Sequence, residues 1–273
     1  MRSSALSILL PARRARLPTD LARNDRAGRL REHRLGDGWR APFVAANGLD
    51  AKPPSPLVDA TVVLVGGFAA PAPTLYFLSR WLRTLGYRTV RACHRSGLDC
   101  SERSYEALLA TVGDVVRASR RPTWLLGHSR GGQVARVLAT RRPDLVSGLI
   151  ALGTPFTPGL APLNGYTRAR IRALGLAGSA GVPSIVSIGC LKGGCCSQFW
   201  LDLTEPWPAG VSFTAIYGSH DRVVRWRDAV DPAARTLVVP GTHLSLLASR
   251  ASYVAISKAL AAGVSVQHEC GVA

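Results

Sequence analysis

Residues Trp124 to Pro155 read WLLGHSRGGQVARVLATRRPDLVSGLIALGTP. A short apolar run passes directly into Gly-His-Ser-Arg-Gly-Gly. A segment with apolar residues at helical spacing follows, then a second apolar run that ends on glycine. Apolar runs without alternation are expected of strands buried on both faces. Two such strands joined through a helix lie parallel, because the crossover returns the chain to the same edge of the sheet.

The same rhythm extends outward in both directions. ATVVLVGGF, from Ala60, is β-branched and ends in glycines, as a buried strand should. TLYFLSRWLRTLG then places Leu75, Leu78, Trp81, Leu82 and Leu85 on one helical face, and YRTVRAC follows as a strand. SYEALLATVGDVVRAS reads as a helix, PTWLLG as a strand, GGQVARVLATRR as a helix and VSGLIALG as a strand. Further on come the strand VSFTAIYG, a helix-like RWRDAVDPAA, the strand TLVVPG and a last helix, SYVAISKALAAG. This alternation predicts an α/β protein with a mostly parallel, doubly wound sheet flanked by helices. Between Pro155 and Pro208 the rhythm breaks into a Pro-, Gly- and Cys-rich stretch with one helix at YTRARIRALGLAG. It is too long for a plain loop and suits an inserted cap. The expected organisation is a basic N-terminal arm over 1–57, a core from 58–154 and 209–265, a cap or lid over 155–208, and a C-terminal tail over 266–273.

Composition excludes several classes. The 273 residues are 47% hydrophobic, which excludes a mostly disordered chain. No apolar run approaches the roughly 18 residues of a membrane span. The formal charge of +17 raises nucleic-acid binding. However, all but three of the 34 basic residues are arginine, the lysines being Lys52, Lys192 and Lys258. That bias fits a GC-rich coding sequence; the arginines are dispersed, and no RNA-binding or helix-turn-helix signature accompanies them. The expected partner is a small molecule and not nucleic acid, with peripheral contact between the basic arm and an anionic membrane left open. No feature speaks to oligomeric state. The N-terminal apolar stretch Ala5 to Leu10 is short for a signal peptide and runs into Pro-Ala-Arg-Arg, so a cytoplasmic or peripheral-membrane location is expected. Six cysteines are too few for a disulfide scaffold, and no C-x-x-C pair is present, which argues against a zinc ribbon. Two readings stay open: local disulfides (Cys93 with Cys100, and Cys190 with Cys195 or Cys196), or buried thiols in a reducing compartment. Cys270 sits in the tail.

Ser129 falls where a strand ends and a helix begins, the edge at which parallel sheets bind ligands. Gly127, Gly131 and Gly132 clear the space for a tight strand-turn-helix that lifts the hydroxyl out of the backbone. A serine hydroxyl needs a base, and the base needs an orienting acid. Asp221 lies just beyond VSFTAIYG and His243 just beyond TLVVPG, both on that same edge. His243 is the expected base and Asp221 its partner. The rivals are His94, His128 and His220 as bases, and Asp202, Asp228 and Asp231 as acids. His128 should point away from the serine oxygen, His220 should shape its turn, and His33 and His268 should lie on the surface. Oxyanion donors are expected from the backbone N–H groups of Arg130 and Phe68, with Gly66 and Gly67 permitting close approach.

These residues carry a resemblance. Gly127-His128-Ser129-Arg130-Gly131, Tyr217-Gly218-Ser219-His220-Asp221 and Gly241-Thr242-His243, in the chain order Ser, Asp, His, resemble the α/β-hydrolase superfamily. The likeness is to its bacterial serine esterase and lipase members with a GHSRGG elbow, and it covers Ala60 to Gly263. It implies an eight-stranded type of sheet, a cap that shapes an acyl pocket, and ester hydrolysis through an acyl-enzyme with no cofactor and no metal. Gly66-Gly67-Phe68 departs from the His-Gly of many relatives, and CLKGGCC resembles an actinobacterial subgroup. The apolar cap residues Phe156, Leu160, Leu163, Phe199, Trp200 and Trp207 suit an acyl ester or lipid substrate, or else ordinary packing. The alternatives are acyl transfer to a lipid or sugar alcohol, and a non-catalytic binding protein on the same fold.

Overall fold

A computed structural model describes residues 60–70, 72–92 and 97–270, excluding the side chains of 264–270. Expectations for the arm at 1–57, for Cys93 and His94, and for the side chains of His268 and Cys270 lie outside the described residues. Six strands form one parallel sheet: β1 (Thr61–Val65), β2 (Arg88–Ala92), β3 (Thr123–His128), β4 (Val146–Leu152), β5 (Ser212–Gly218) and β6 (Arg235–Val239). Their order across the sheet is β2-β1-β3-β4-β5-β6. The helices are α1 (Tyr76–Thr84), α2 (Ser101–Ser119), α3 (Arg130–Arg141), α4 (Gly165–Ser179), α5 (Ile188–Leu191), α6 (Ser197–Asp202) and α7 (Arg250–Cys270). None of them is long and apolar enough to cross a membrane.

Two expectations are corrected. The described residues contain six strands and not eight. RWRDAVDPAA forms only a single 3-10 turn, Trp226–Asp228. There Pro232 has no N–H to give a helix, and the Asp231 carboxylate accepts from the Ala233 N–H at 3.0 Å, which favours a turn. The last helix also continues to Cys270, past the residues whose pattern predicts it.

Every residue of β1, β3 and β4 is buried, which is why those runs lack polar alternation. Successive side chains still face opposite ways. Val63, Val65, Leu125 and Leu149 pack on one face with Leu108, Val112, Val134 and Leu138 of α2 and α3. Val62, Leu64, Leu126 and Ile150 pack on the other with α1 and α7. There Trp81 stacks on Tyr253 with ring centroids 4.2 Å apart.

Sheet order reverses at β1, which has β2 on one side and β3 on the other. The loops leaving β1 and β3 therefore diverge to opposite faces and leave a crevice between them. Ser129 follows β3 and Phe68 follows β1, so both stand at that crevice.

The chain between β4 and β5 is held to the core by specific bonds. Asn164 and Arg225 take backbone bonds with Val223 and Pro162, at 3.0 and 3.1 Å, and the Val186 N–H donates to Leu98 O at 2.7 Å. Arg136, on α3, is buried at 3% exposure. Its Nε donates to Asp231 Oδ2 at 2.8 Å, and its terminal nitrogens donate to the carbonyls of Asp202 and Glu205. This one guanidinium fixes the end of α6 and the turn before β6 against α3, with a buried counter-charge that offsets its own desolvation.

Candidate active site

Ser129 occupies the N-cap position of α3 with φ 54° and ψ −126°. A side chain in this region of backbone space costs on the order of 1–3 kcal/mol. The elbow is tight because backbone packs on backbone: a Cβ on Gly127 would lie 2.5 Å from Gly132 Cα. An N-cap serine ordinarily caps its helix by accepting a hydrogen bond from the first turn. Ser129 makes no such bond, so its half-buried hydroxyl is left for another partner. The Ser129 N–H is anchored to Leu152 O at 2.8 Å, which ties the elbow to the end of β4.

The Asp221 and His243 side chains are nearly buried, and His243 Nδ1 lies 2.7 Å from Asp221 Oδ2. The other oxygen of that carboxylate accepts the N–H groups of Val223 and Val224 at 2.8 and 3.0 Å. Burial raises the Asp221 pKa, but the His243 bond and the two N–H groups outweigh it and hold the carboxyl below its ordinary value. A protonated Nδ1 then faces a carboxylate, and Nε2 carries the lone pair.

The rival acids are engaged elsewhere. Asp202 pairs with Arg141 at 2.5 Å, Asp228 with Arg225 at 2.7 Å, and Asp231 with Arg136. Among the described histidines, His220 is exposed, with Nδ1 3.0 Å from Ser219 Oγ.

His128 does more than turn away from the serine. It is buried, and its Nε2 lies 3.0 Å from the carbonyl oxygen of His243. A neutral ring donating Nε2–H to that carbonyl holds the loop that carries His243. Burial, followed by the charge of His243, pushes the pKa of His128 down to about 3. The sign follows directly: between pH 6.5 and about 3 the unfolded chain binds a proton that the folded chain refuses. This group's contribution is thus complete above pH 6.5 and falls as pH drops through that window. Denaturant unfolding from pH 6.5 to 4.5 should show His128→Gln, whose amide can reach the same carbonyl, losing less stability than wild type. The difference should approach 1.4 kcal/mol per pH unit. Equal slopes in the two proteins would dismiss the buried neutral imidazole.

Three further features escaped the sequence reading. Gly153, at φ +53, lies against the His–Asp pair: a Cβ there would stand 3.1 Å from His243 Nδ1 and 3.2 Å from Asp221 Oδ2. Its signal was a glycine directly after an apolar strand. The Arg130 side chain, overlooked beside its backbone N–H, donates to the carbonyls of Gly97 and Asp99 at 2.6 and 2.7 Å. It also lies 5.9 Å from the Phe68 ring centroid. Finally, Cys100, Cys190, Cys195 and Cys196 gather at one point. No local spacing joins Cys100 to the others.

Ser129 and His243 line one cavity of about 330 Å³, within the range of small-molecule sites. Gly67, Phe68 and Arg130 also line it, and a Cβ on Gly67 would stand 3.1 Å from Ser129 Cβ. The Phe68 N–H has no backbone partner among the described residues, and the Arg130 N–H is in the first turn of α3, where helices leave donors free. The apolar residues expected to face substrate divide into two groups. Leu160, Leu163 and Trp200 line the cavity, joined by Ile171, Leu174 and Leu191. Phe156, Phe199 and Trp207 instead belong to the core, with Trp207 stacked on Phe213 at 4.3 Å.

No protein-family model matches the sequence. Solved structures are similar in shape at low identity. The mature lipase BlEst2 of Bacillus licheniformis superposes with a TM-score of 0.56 at 15% identity, covering 77% of this chain and 94% of that one. A carboxylesterase structure from Nitrososphaera gargenis gives 0.53 at 16% identity, covering 76% and 92%. The monoacylglycerol lipase of Paleococcus ferrophilus gives 0.51 at 16%, covering 74% and 94%. Strand order, crossover helices and these likenesses together give the chain the α/β-hydrolase fold.

Proposed function

We propose that the protein is a serine hydrolase of carboxylic esters, of the esterase or lipase type. In this reading Ser129 is the nucleophile, His243 the base and Asp221 the orienting acid. The observation that carries it is the 2.7 Å bond from His243 Nδ1 to a nearly buried Asp221 carboxylate, with His243 lining the same cavity as the uncapped Ser129.

The chemistry follows from that arrangement. Ser129 Oγ attacks the ester carbonyl carbon as His243 Nε2 takes its proton, and Asp221 stabilises the imidazolium. The carbonyl oxygen becomes an oxyanion held by the N–H groups of Phe68 and Arg130. Collapse expels the alcohol, which takes the proton from His243. Water, deprotonated by the same imidazole, then cleaves the acyl-enzyme. The strain at Ser129 and the free donors at the start of α3 are both present before substrate binds, so little reorganisation is left for the reaction itself. Residues 155–208 act as the cap, and Leu160, Leu163, Ile171, Leu174 and Trp200 offer an apolar wall to the acyl chain. The lipase and carboxylesterase activities named for the structural neighbours belong to the same reaction class.

Labelling with a fluorophosphonate, followed by identification of the modified peptide, tests the assignment without the natural substrate. The reagent is expected to phosphonylate Ser129, and His243→Ala is expected to abolish the labelling. Modification of another serine, or none at neutral pH, would overturn it.

A further inference from the structure

The geometry points to a structural metal site: Cys100, Cys190, Cys195 and Cys196 bind one zinc ion as four thiolates, clasping the chain between β4 and β5 to the start of α2. Cys100 immediately precedes α2, Cys190 lies in α5, and Cys195 and Cys196 immediately precede α6. All four sulfurs lie within 4.8 Å of one another. The sulfur separations are 2.8 Å for Cys190–Cys195, 3.2 Å for Cys100–Cys196, 3.6 Å for Cys195–Cys196 and 3.7 Å for Cys100–Cys195. Tetrahedral zinc with Zn–S bonds of about 2.3 Å sets its sulfurs about 3.8 Å apart. Cys195 lies within 3.7 Å of each of the other three sulfurs, so the cysteines do not separate into two isolated pairs.

The surroundings suit a charged cluster. Four thiols that surrender their protons to one Zn²⁺ leave a net charge of −2. Cys100 is the N-cap residue of α2, so the unpaired backbone N–H groups of that helix's first turn lie beside the charge. Such donors orient thiolate ligands and stabilise their charge. The Arg130 guanidinium lies close enough to interact with Cys100, Cys190 and Cys196, and Arg103 with Cys100 and Cys190. Four protein ligands complete a tetrahedron and leave no position for water, which makes the site structural and not catalytic. Three of the four cysteines are buried, and only Cys195 is exposed.

The clasp would steady the candidate active site from a distance. Cys190 and Leu191 line the cavity that Ser129 also lines, and so does Ser101, next to Cys100. Arg130, which follows the nucleophile candidate, bonds the loop that carries Cys100. The zinc inference does not depend on the hydrolase reading, because a metal count answers it whether or not any ester is cleaved.

The test uses the full chain, expressed with added zinc and purified under mild reductant without chelator. Elemental analysis is expected to find about one zinc and no stoichiometric iron per chain, released when an organomercurial titrates the thiols. Cobalt substitution should give the intense visible bands of a tetrahedral tetrathiolate. Cys195→Ser, at the exposed ligand, is expected to weaken zinc retention about a hundredfold or more, while the exposed Lys192→Ala keeps it. A metal-free chain whose cysteines map as Cys190–Cys195 and Cys100–Cys196 disulfides would overturn the proposal. So would one whose four thiols stay free in excess zinc, or one that carries stoichiometric iron. The cobalt spectrum of the wild-type chain decides the question even if a cysteine variant fails to fold.

Discussion

Ser129→Ala is expected to lower kcat on short p-nitrophenyl esters by about 10⁴- to 10⁶-fold, with an unfolding midpoint within a few degrees of wild type. Both halves of this expectation come from the elbow. The hydroxyl caps no helix, so its removal strands no buried donor, and alanine fits wherever serine does. The anchors of the turn, the Ser129 N–H on Leu152 O and the Gly132 N–H on Ser129 O, are backbone bonds that the substitution leaves in place. What disappears is the atom proposed to form the acyl-enzyme. Residual turnover should match what oxyanion donors and binding supply by themselves. Steady-state rates and a thermal melt on the same preparation separate the two effects. Retained turnover in a folded variant would end the serine assignment.

Asp221→Asn is expected to cost about 10⁴-fold in kcat with little change in KM, and the structure dictates which way the amide must face. Asp221 Oδ1 accepts the N–H groups of Val223 and Val224. An asparagine must keep its carbonyl oxygen there, since an NH2 would oppose two donors. Its NH2 is therefore turned toward His243 Nδ1, now 2.7 Å from a carboxylate oxygen. An NH2 can only donate, so Nδ1 becomes the acceptor and the ring proton moves to Nε2. His243 then presents an N–H where the proposed mechanism needs a lone pair for the Ser129 proton. Imidazole orientation is preserved while its tautomer is inverted, so binding survives and proton abstraction does not. A loss of less than tenfold would show that Asp221 does not set the tautomer.

What the sequence made legible was whatever repeats locally. The continuous apolar runs of β1, β3 and β4 announce burial on both faces, and the spacing of Leu75, Leu78, Trp81 and Leu82 announces α1. Since parallel strands all end at one edge, placing Ser129, Asp221 and His243 after three of them was enough to expect them together. What stayed hidden depends on contacts between distant segments. The acids around β5 and β6 look equivalent in the linear chain, and only the partners Arg136, Arg141 and Arg225 remove three of them from contention. His128 reaches across 115 residues to the His243 carbonyl, and Cys100 lies 96 residues from Cys196. Periodicity carries no trace of either. The helix expected after Arg225 failed for a related reason: Asp231 is held by Arg136 while Pro232 interrupts the backbone bonding. Among the cap aromatics, hydrophobicity could not distinguish Trp200, on the cavity, from Trp207, stacked in the core.

The backbone at position 129 also bears on how this chain can change over generations. Glycine alone occupies φ 54°, ψ −126° without penalty, and the glycine codons lie one base away from two of serine's. In a lineage that no longer needed the hydroxyl, mutational drift toward glycine would be rewarded by firmer folding. Position 129 is thus a point where selection for stability and selection for the proposed nucleophile pull in opposite directions.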